Sequence, residues 1–253
     1  MVKSRDLWKV MFVLPVVLFR KCNLLLPVTG ETLPMEEVFL KNIFMENALR
    51  IETNITVLMS GMLEIVIFSL LFGAHLYHDL YENSVYIFIR QKSRSRWYAK
   101  RAAELFLFSV VYSLLFVGGT FLLCRFYTGQ RIDTETAEIF AVTYILIALF
   151  SFWITLMINI TAVFTGSVTA FLIHYIIFMI FTALAIGFEG IPVINQFRIL
   201  LKLNPAANLM VFWNDGIGRG LMPAAYFLVL CAGTYAAGNV LIKRMDISIE
   251  NKE

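Results

Sequence analysis

The chain has 253 residues, of which 59% are hydrophobic and only 15% charged, with a formal net charge of +3. Soluble domains carry about 25% charged residues, so this composition excludes an ordinary soluble protein. A net charge this small gives no footing for nucleic acid, and the length suits about six membrane spans with short loops, leaving no room for a separate soluble catalytic domain.

The first apolar segment, residues 10–28, is interrupted by Arg20, Lys21, Cys22 and Asn23. A helix from Lys9 to Arg20 rises only about 16 Å, half the hydrocarbon thickness, so either Arg20 and Lys21 snorkel outward, or the span tilts or lies partly in the interface, or the pair is buried against a partner. It lacks a small-residue cleavage site, and no cleavable signal peptide is expected. The following segment, 29–54, is acidic, with Glu31, Glu36, Glu37, Glu46 and Glu52 against Lys41 and Arg50.

Residues 55–77 form the second expected span and carry one carboxylate, Glu64. An ionisable group inside a bilayer costs about 2.5–3.5 kcal/mol on insertion scales, which makes Glu64 a functional candidate. It sits about 22 Å along a helix from Asp79, a depth compatible with an intramembrane ion pair to Arg20 or Lys21.

The loop 79–101 holds Arg90, Lys92, Arg94, Arg96, Lys100 and Arg101 against only Asp79 and Glu82. Val85, Phe88 and Ile89 recur at helical spacing and predict a short amphipathic helix with Glu82 in its first turn. Arg96, Trp97 and Lys100 then anchor the entry to the third span, 105–124. Taken locally, the loop also fits an interfacial helix with an ordinary positive anchor and an aromatic belt residue.

Between Glu138 and Glu189 there is no Asp, Glu, Lys or Arg. That stretch is long enough to cross a bilayer of about 20 residues per span twice, and it predicts a hairpin of spans 139–159 and 167–187. Asn159, Thr161, Thr165, Gly166, Ser167 and Thr169 supply small polar residues where the chain must reverse. Segment 188–222 contains apolar pieces too short to span, such as Val193–Leu203 and Ala206–Trp213, expected to be re-entrant or interfacial. The last span, 223–242, is closed by Lys243 and Arg244. Placing every basic cluster on one side gives six spans with both termini cytoplasmic and segments 29–54 and 188–222 extracellular. The expected fold is an all-α integral membrane domain over 1–253.

Little in the chain carries bond-breaking chemistry. His174 and Glu64 lie on different spans and do not by themselves build a proton relay. Ser167 and His174 would lie about 10 Å apart along a helix, and no Gly-x-Ser-Gly element surrounds Ser167. No His-Glu-x-x-His run or pair of intramembrane aspartates is present, and no metal site is expected. Cys22, Cys124 and Cys231 are widely spaced in apolar surroundings and read as packing residues. No Gly-x-x-x-x-Gly-Lys-Ser/Thr loop occurs, so any ATP must be hydrolysed by another chain.

A charged residue after the second span, the short amphipathic helix, the basic turn Arg90 to Arg96, and Trp97 and Lys100 opening the third span together resemble the membrane subunits of type-two ATP-binding-cassette transporters. The ending Leu241-Ile242-Lys243-Arg244-Met245-Asp246 is similar to the basic-then-Asp ending of these permeases. The resemblance implies that Glu82, Val85, Phe88, Ile89 and Arg90 form a coupling helix docked on an ATPase subunit, with Arg96, Trp97 and Lys100 as its cytoplasmic anchor. It implies a permease half of an exporter in the bacterial plasma membrane, paired with a second permease subunit, identical or homologous, and surrounded by lipid. No cofactor is expected in this chain, ATP and magnesium belonging to the partner ATPase. The aromatic content suits a hydrophobic or amphipathic cargo, a lipid-like molecule or an antimicrobial peptide. The competing expectation is a non-transporting assembly, sensor or immunity protein that binds other membrane subunits.

Overall fold

Without water to satisfy it, backbone in a bilayer must close its hydrogen bonds within helices or a sealed barrel. The computed structural model of the chain describes residues 15, 35–43, 55–80, 93–189, 202–209 and 220–244, which are helical with no strand among them. The helices are α1 Met35–Asn42, α2 Ile55–Phe72, α3 Arg94–Thr128, α4 Thr134–Thr165, α5 Ser167–Glu189, α6 Pro205–Leu209 and α7 Leu221–Arg244. Beyond α2 the chain turns at Gly73 and Ala74 and is helical again over 75–80. Among the described residues five helices are long and apolar enough to cross a membrane: Met62–Leu80, α3, α4, Ser167–Ala185 within α5, and α7. This is the architecture of a multi-pass membrane protein.

Helix ends are fixed by local chemistry. Ser93 caps α3, its hydroxyl accepting from the Arg96 amide, and Gly129 closes the far end in the left-handed region with Arg125 in the last turn. Asp133 caps α4 by accepting from the Thr136 amide at 2.8 Å. The reversal between α4 and α5 is a single residue, Gly166, at φ +84°, a backbone region that side chains with a Cβ avoid. Threonines inside the apolar helices turn their hydroxyls back onto their own carbonyls, Thr120 to Phe116 and Thr182 to Phe178, each at 2.9 Å. A polar residue satisfied within its own helix costs little in lipid.

α4 is the hub and touches every other described helix. Along it, Phe150 packs on Phe178 of α5 and Phe227 of α7, with ring centroids 4.8 and 5.6 Å apart. Toward α3 the contacts combine ring pairs, Phe106 with Phe152 and Phe121 with Phe140, with Ser109, whose hydroxyl donates to the Ala148 carbonyl at 2.6 Å. α3 and α4 contain 35 and 32 residues. At about 1.5 Å per residue both outrun the roughly 30 Å hydrocarbon core, so their ends project past it.

One end of the bundle gathers the cations. Tyr98 near the start of α3 stacks on Tyr235 of α7 at 5.2 Å and abuts Gly238, which sets Arg94, Arg96, Lys100 and Arg101 beside Lys243 and Arg244. At the opposite end α1 packs by Phe39 against Phe121 of α3, centroids 5.5 Å apart, and the Met35 amide donates to the Gln130 side chain at 2.9 Å. Eight residues of helix reach only about 12 Å, so α1 does not cross. α6 is likewise short, yet Pro205, Ala206, Ala207 and Leu209 are all buried. Asn204 makes that burial possible: its Oδ1 accepts from the Ala206 amide at 2.8 Å while its Nδ2 donates to the Phe181 carbonyl at 2.7 Å.

Candidate functional site

The feature that most needs explaining is the break in the helix that begins as α2. In a regular helix the Leu76 amide would donate to the Phe72 carbonyl four residues back. Here Asn159 of α4 stands between them. Its Oδ1 accepts from the Leu76 amide at 2.7 Å, and its Nδ2 donates to the Phe72 carbonyl at 2.9 Å. The same Nδ2 also reaches the Thr155 carbonyl at 2.8 Å, so the amide is held from its own helix as well. A side chain inserted into the i→i−4 ladder is one of the few recognised causes of a sharp helix irregularity. The displaced groups stay satisfied, which is the condition for broken helix inside a membrane.

Gly73 allows the close approach. A Cβ there would run into the Ser69 carbonyl and lie 3.1 Å from Ile158. One turn toward the other end the joint stays polar: Ser69 Oγ meets Thr155 Oγ1 at 3.0 Å, and the Tyr175 hydroxyl of α5 donates to Ser69 Oγ at 3.0 Å. Further along, the Tyr112 hydroxyl of α3 donates to the Glu64 carbonyl at 2.8 Å, and the Glu64 side chain is buried. α2 therefore meets its neighbours through polar contacts at successive depths, beside ring contacts to α3 of Phe68 with Tyr112 and of Phe72 with Phe108.

Below the break the chain is tied again. Asp79 forms an ion pair with Arg101 of α3 at 2.5 Å, without hydrogen-bond alignment at Asp79 Oδ2. Arg101 also bonds Glu104 at 2.6 Å. These groups are partly screened from solvent, the Arg101 side chain being 23% exposed and that of Asp79 15%, so the pair is stronger than a free surface pair. The two chain ends that flank residues 81–92 are thus held together. Between this clamp and the Asn159 insertion lies only the short helical stretch 75–80.

Of the residues singled out in the sequence, Arg96 and Lys100 are exposed on one side of α3, while Trp97 is turned inward and buried. Glu64 is buried among the helices. Glu82, Val85, Phe88, Ile89 and Arg90 lie outside the described residues, as do Arg20 and Lys21, and with them the expected ion pair to Glu64. His174 uses both ring nitrogens: Nδ1 faces the Ala170 carbonyl at 2.8 Å and Nε2 the Thr161 hydroxyl at 3.5 Å. Neither contact is Ser167, and the arrangement is that of a tethered packing residue. Cys124 and Cys231 are buried, the Cys231 thiol lying 3.6 Å from the Leu149 carbonyl. Among the described residues no group of three His, Cys, Asp or Glu side chains is gathered to hold a metal.

The sequence grouped Asn159 with the small polar residues of the reversal, but it lies buried inside α4, ahead of the turn at Gly166, and its partners are Phe72 and Leu76. No protein-family model matches the chain, and neither a curated protein nor a solved structure matches it.

Proposed function

We propose that this chain is the permease subunit of an ATP-driven exporter, with six spans, both termini cytoplasmic, and ATP hydrolysed by a separate ATPase docked on residues 82–90. Two permease subunits line a pathway in the cell membrane for a hydrophobic or amphipathic cargo. The observation that supports this reading is the Asn159 amide inserted between Phe72 and Leu76 directly above the Asp79–Arg101 clamp. A loop pushed from the cytoplasm moves its clamped base as one piece. The stretch 75–80 then swings about Gly73, and the motion reaches α4 through Asn159 and from α4 every other described helix. The break separates a moving lever from a fixed span.

The test is purification in mild detergent together with the proteins encoded beside it. An ATPase is expected to accompany the wild type and to be lost with Phe88→Glu, while the variant remains inserted and monodisperse. Asn159→Leu is expected to keep the ATPase bound yet lose cargo-coupled ATP hydrolysis, because the ladder closes and the pivot stiffens. Recovery of a folded membrane protein with no ATPase overturns the exporter reading in favour of a non-transporting membrane partner.

A further inference from the structure

A cleft of about 660 Å³ opens at the end of α3 opposite the basic cluster. That volume falls within the range of small-molecule sites, about 300–1,000 Å³. Its apolar wall is Gly119, Leu122, Leu123 and Phe126, and its polar rim includes Arg125 and Arg131. Leu122 and Phe126 are 62% and 91% exposed, so among the described residues nothing covers this wall.

Depth is set by the helix. From Arg101 at the basic end to Arg125 α3 rises about 36 Å, slightly more than the hydrocarbon core, which puts Arg125 at headgroup level of the opposite leaflet. Gly119 lies about 9 Å deeper, among acyl chains. Cations concentrate on the cytoplasmic side of membrane proteins, so two arginines at this end call for a reason. Arg125, in the last turn of α3, also complements the helix dipole; Arg131 lies beyond the helix and has no such role. The carboxylate next along the chain, Asp133, accepts from the Thr136 amide at 2.8 Å and serves as the cap of α4.

We propose that this cleft binds an acidic phospholipid, its phosphate against Arg125 and Arg131 and an acyl chain along Gly119, Leu122 and Phe126. Basic pockets beside membrane helices recognise headgroups through charge-assisted hydrogen bonds, and an adjoining apolar furrow distinguishes a bound lipid from the bulk. The site is independent of the exporter reading, since it requires only that α3 cross the bilayer.

Native mass spectrometry of the full chain in detergent tests it, with palmitoyl-oleoyl phosphatidylglycerol as probe and the matching phosphatidylcholine as control. The wild type is expected to hold phosphatidylglycerol after phosphatidylcholine has dissociated. R125Q/R131Q, at exposed positions, should weaken retention about tenfold or more. K243Q/R244Q, which removes the same charge at the other end, should leave retention unchanged. Gly119→Leu fills the furrow with both arginines intact and should also release the lipid; it carries the test if the double variant is not monodisperse. Equal retention of both lipids overturns the site as ordinary boundary lipid. Undiminished phosphatidylglycerol on R125Q/R131Q, or an equal loss from K243Q/R244Q, overturns it as well.

Discussion

α4 presents two unlike surfaces. Toward α7 and α5 it offers rings: Phe150, Trp153 and Phe227 form a cluster with centroids 5.6 to 6.4 Å apart, and Phe150 and Phe227 are fully buried. Toward α2 it offers Thr155 and Asn159, whose partners are a hydroxyl and the open ladder of a broken helix. In lipid there is little hydrophobic gain from bringing helices together, so a joint is held either by close packing or by hydrogen bonds. Packed rings fit in one arrangement and lose energy with any displacement. Hydrogen bonds from a single amide to a break can be exchanged for the ladder bond they replace. The first joint is suited to stay fixed and the second to move.

The largest effect is expected on the packed side. Phe150→Ala removes a ring with neighbours on α5 and α7 and leaves a cavity; the cost is about 3 kcal/mol, at the low end for buried Phe because the transfer term is small in a bilayer. Denaturation in mixed micelles should show a global loss, with no change confined to 75–80. A loss below that of Asn159→Leu would erase the contrast between the two joints.

On the polar side the expected change is smaller and local. Asn159→Leu takes away three hydrogen bonds, but the Leu76 amide and the Phe72 carbonyl then meet each other, so stability shifts by only about 1 kcal/mol. Hydrogen exchange at the Leu76 amide should slow as the ladder closes. Faster exchange there, with a loss of stability matching that of Phe150→Ala, would mean that the amide holds the helix up and is no pivot.

The sequence and the structure agree where the signal is local. An uncharged stretch with glycine among small polar residues marks a reversal, and the chain reverses at Gly166. Ser93 and Asp133 cap α3 and α4, although neither was singled out from the sequence. The break in α2 was not legible, because Gly73 alone in an apolar run is common and tolerated. What opens the helix is Asn159, 83 positions from Leu76, and that meeting depends on the register of α2 against α4. Trp97 had the look of a belt residue beside a basic turn; its burial follows from which face of α3 meets the bundle, a tertiary fact. Asp79 was one acid in a basic loop, and the sequence did not say that Arg101 rather than any of five other cations would hold it.

That clamp provides the next test of the moving joint. Asp79→Asn should cost about 0.5–1 kcal/mol, and Arg101→Gln more, since Arg101 also serves Glu104. A double-mutant cycle between Asp79 and Arg101 should return a coupling of about the Asp79→Asn loss, shrinking with added salt. Zero coupling at low salt would detach the flanks of 81–92 from each other and leave the lever without a base.

The smallest effect lies far from both joints and gives the baseline against which they are judged. Asp133 caps α4 at the end opposite the clamp, and hydrogen bonding to Thr136, from its side chain and its amide, holds the Asp133 carboxyl below its ordinary value. A carboxylate with a lowered folded-state pKa adds stability that is present above its unfolded value and fades as pH falls through the folded one. The first turn of α4 should therefore exchange faster at acid pH, after correction for intrinsic rates, with no change at neutral pH. Asparagine caps as well as aspartate but does not titrate, so Asp133→Asn should remove the pH dependence and keep the neutral-pH protection. Neither variant should alter exchange at Leu76. If acid loosens Leu76 together with the first turn of α4, the helix transmits strain along its whole length, and the separation of a fixed joint from a moving one fails.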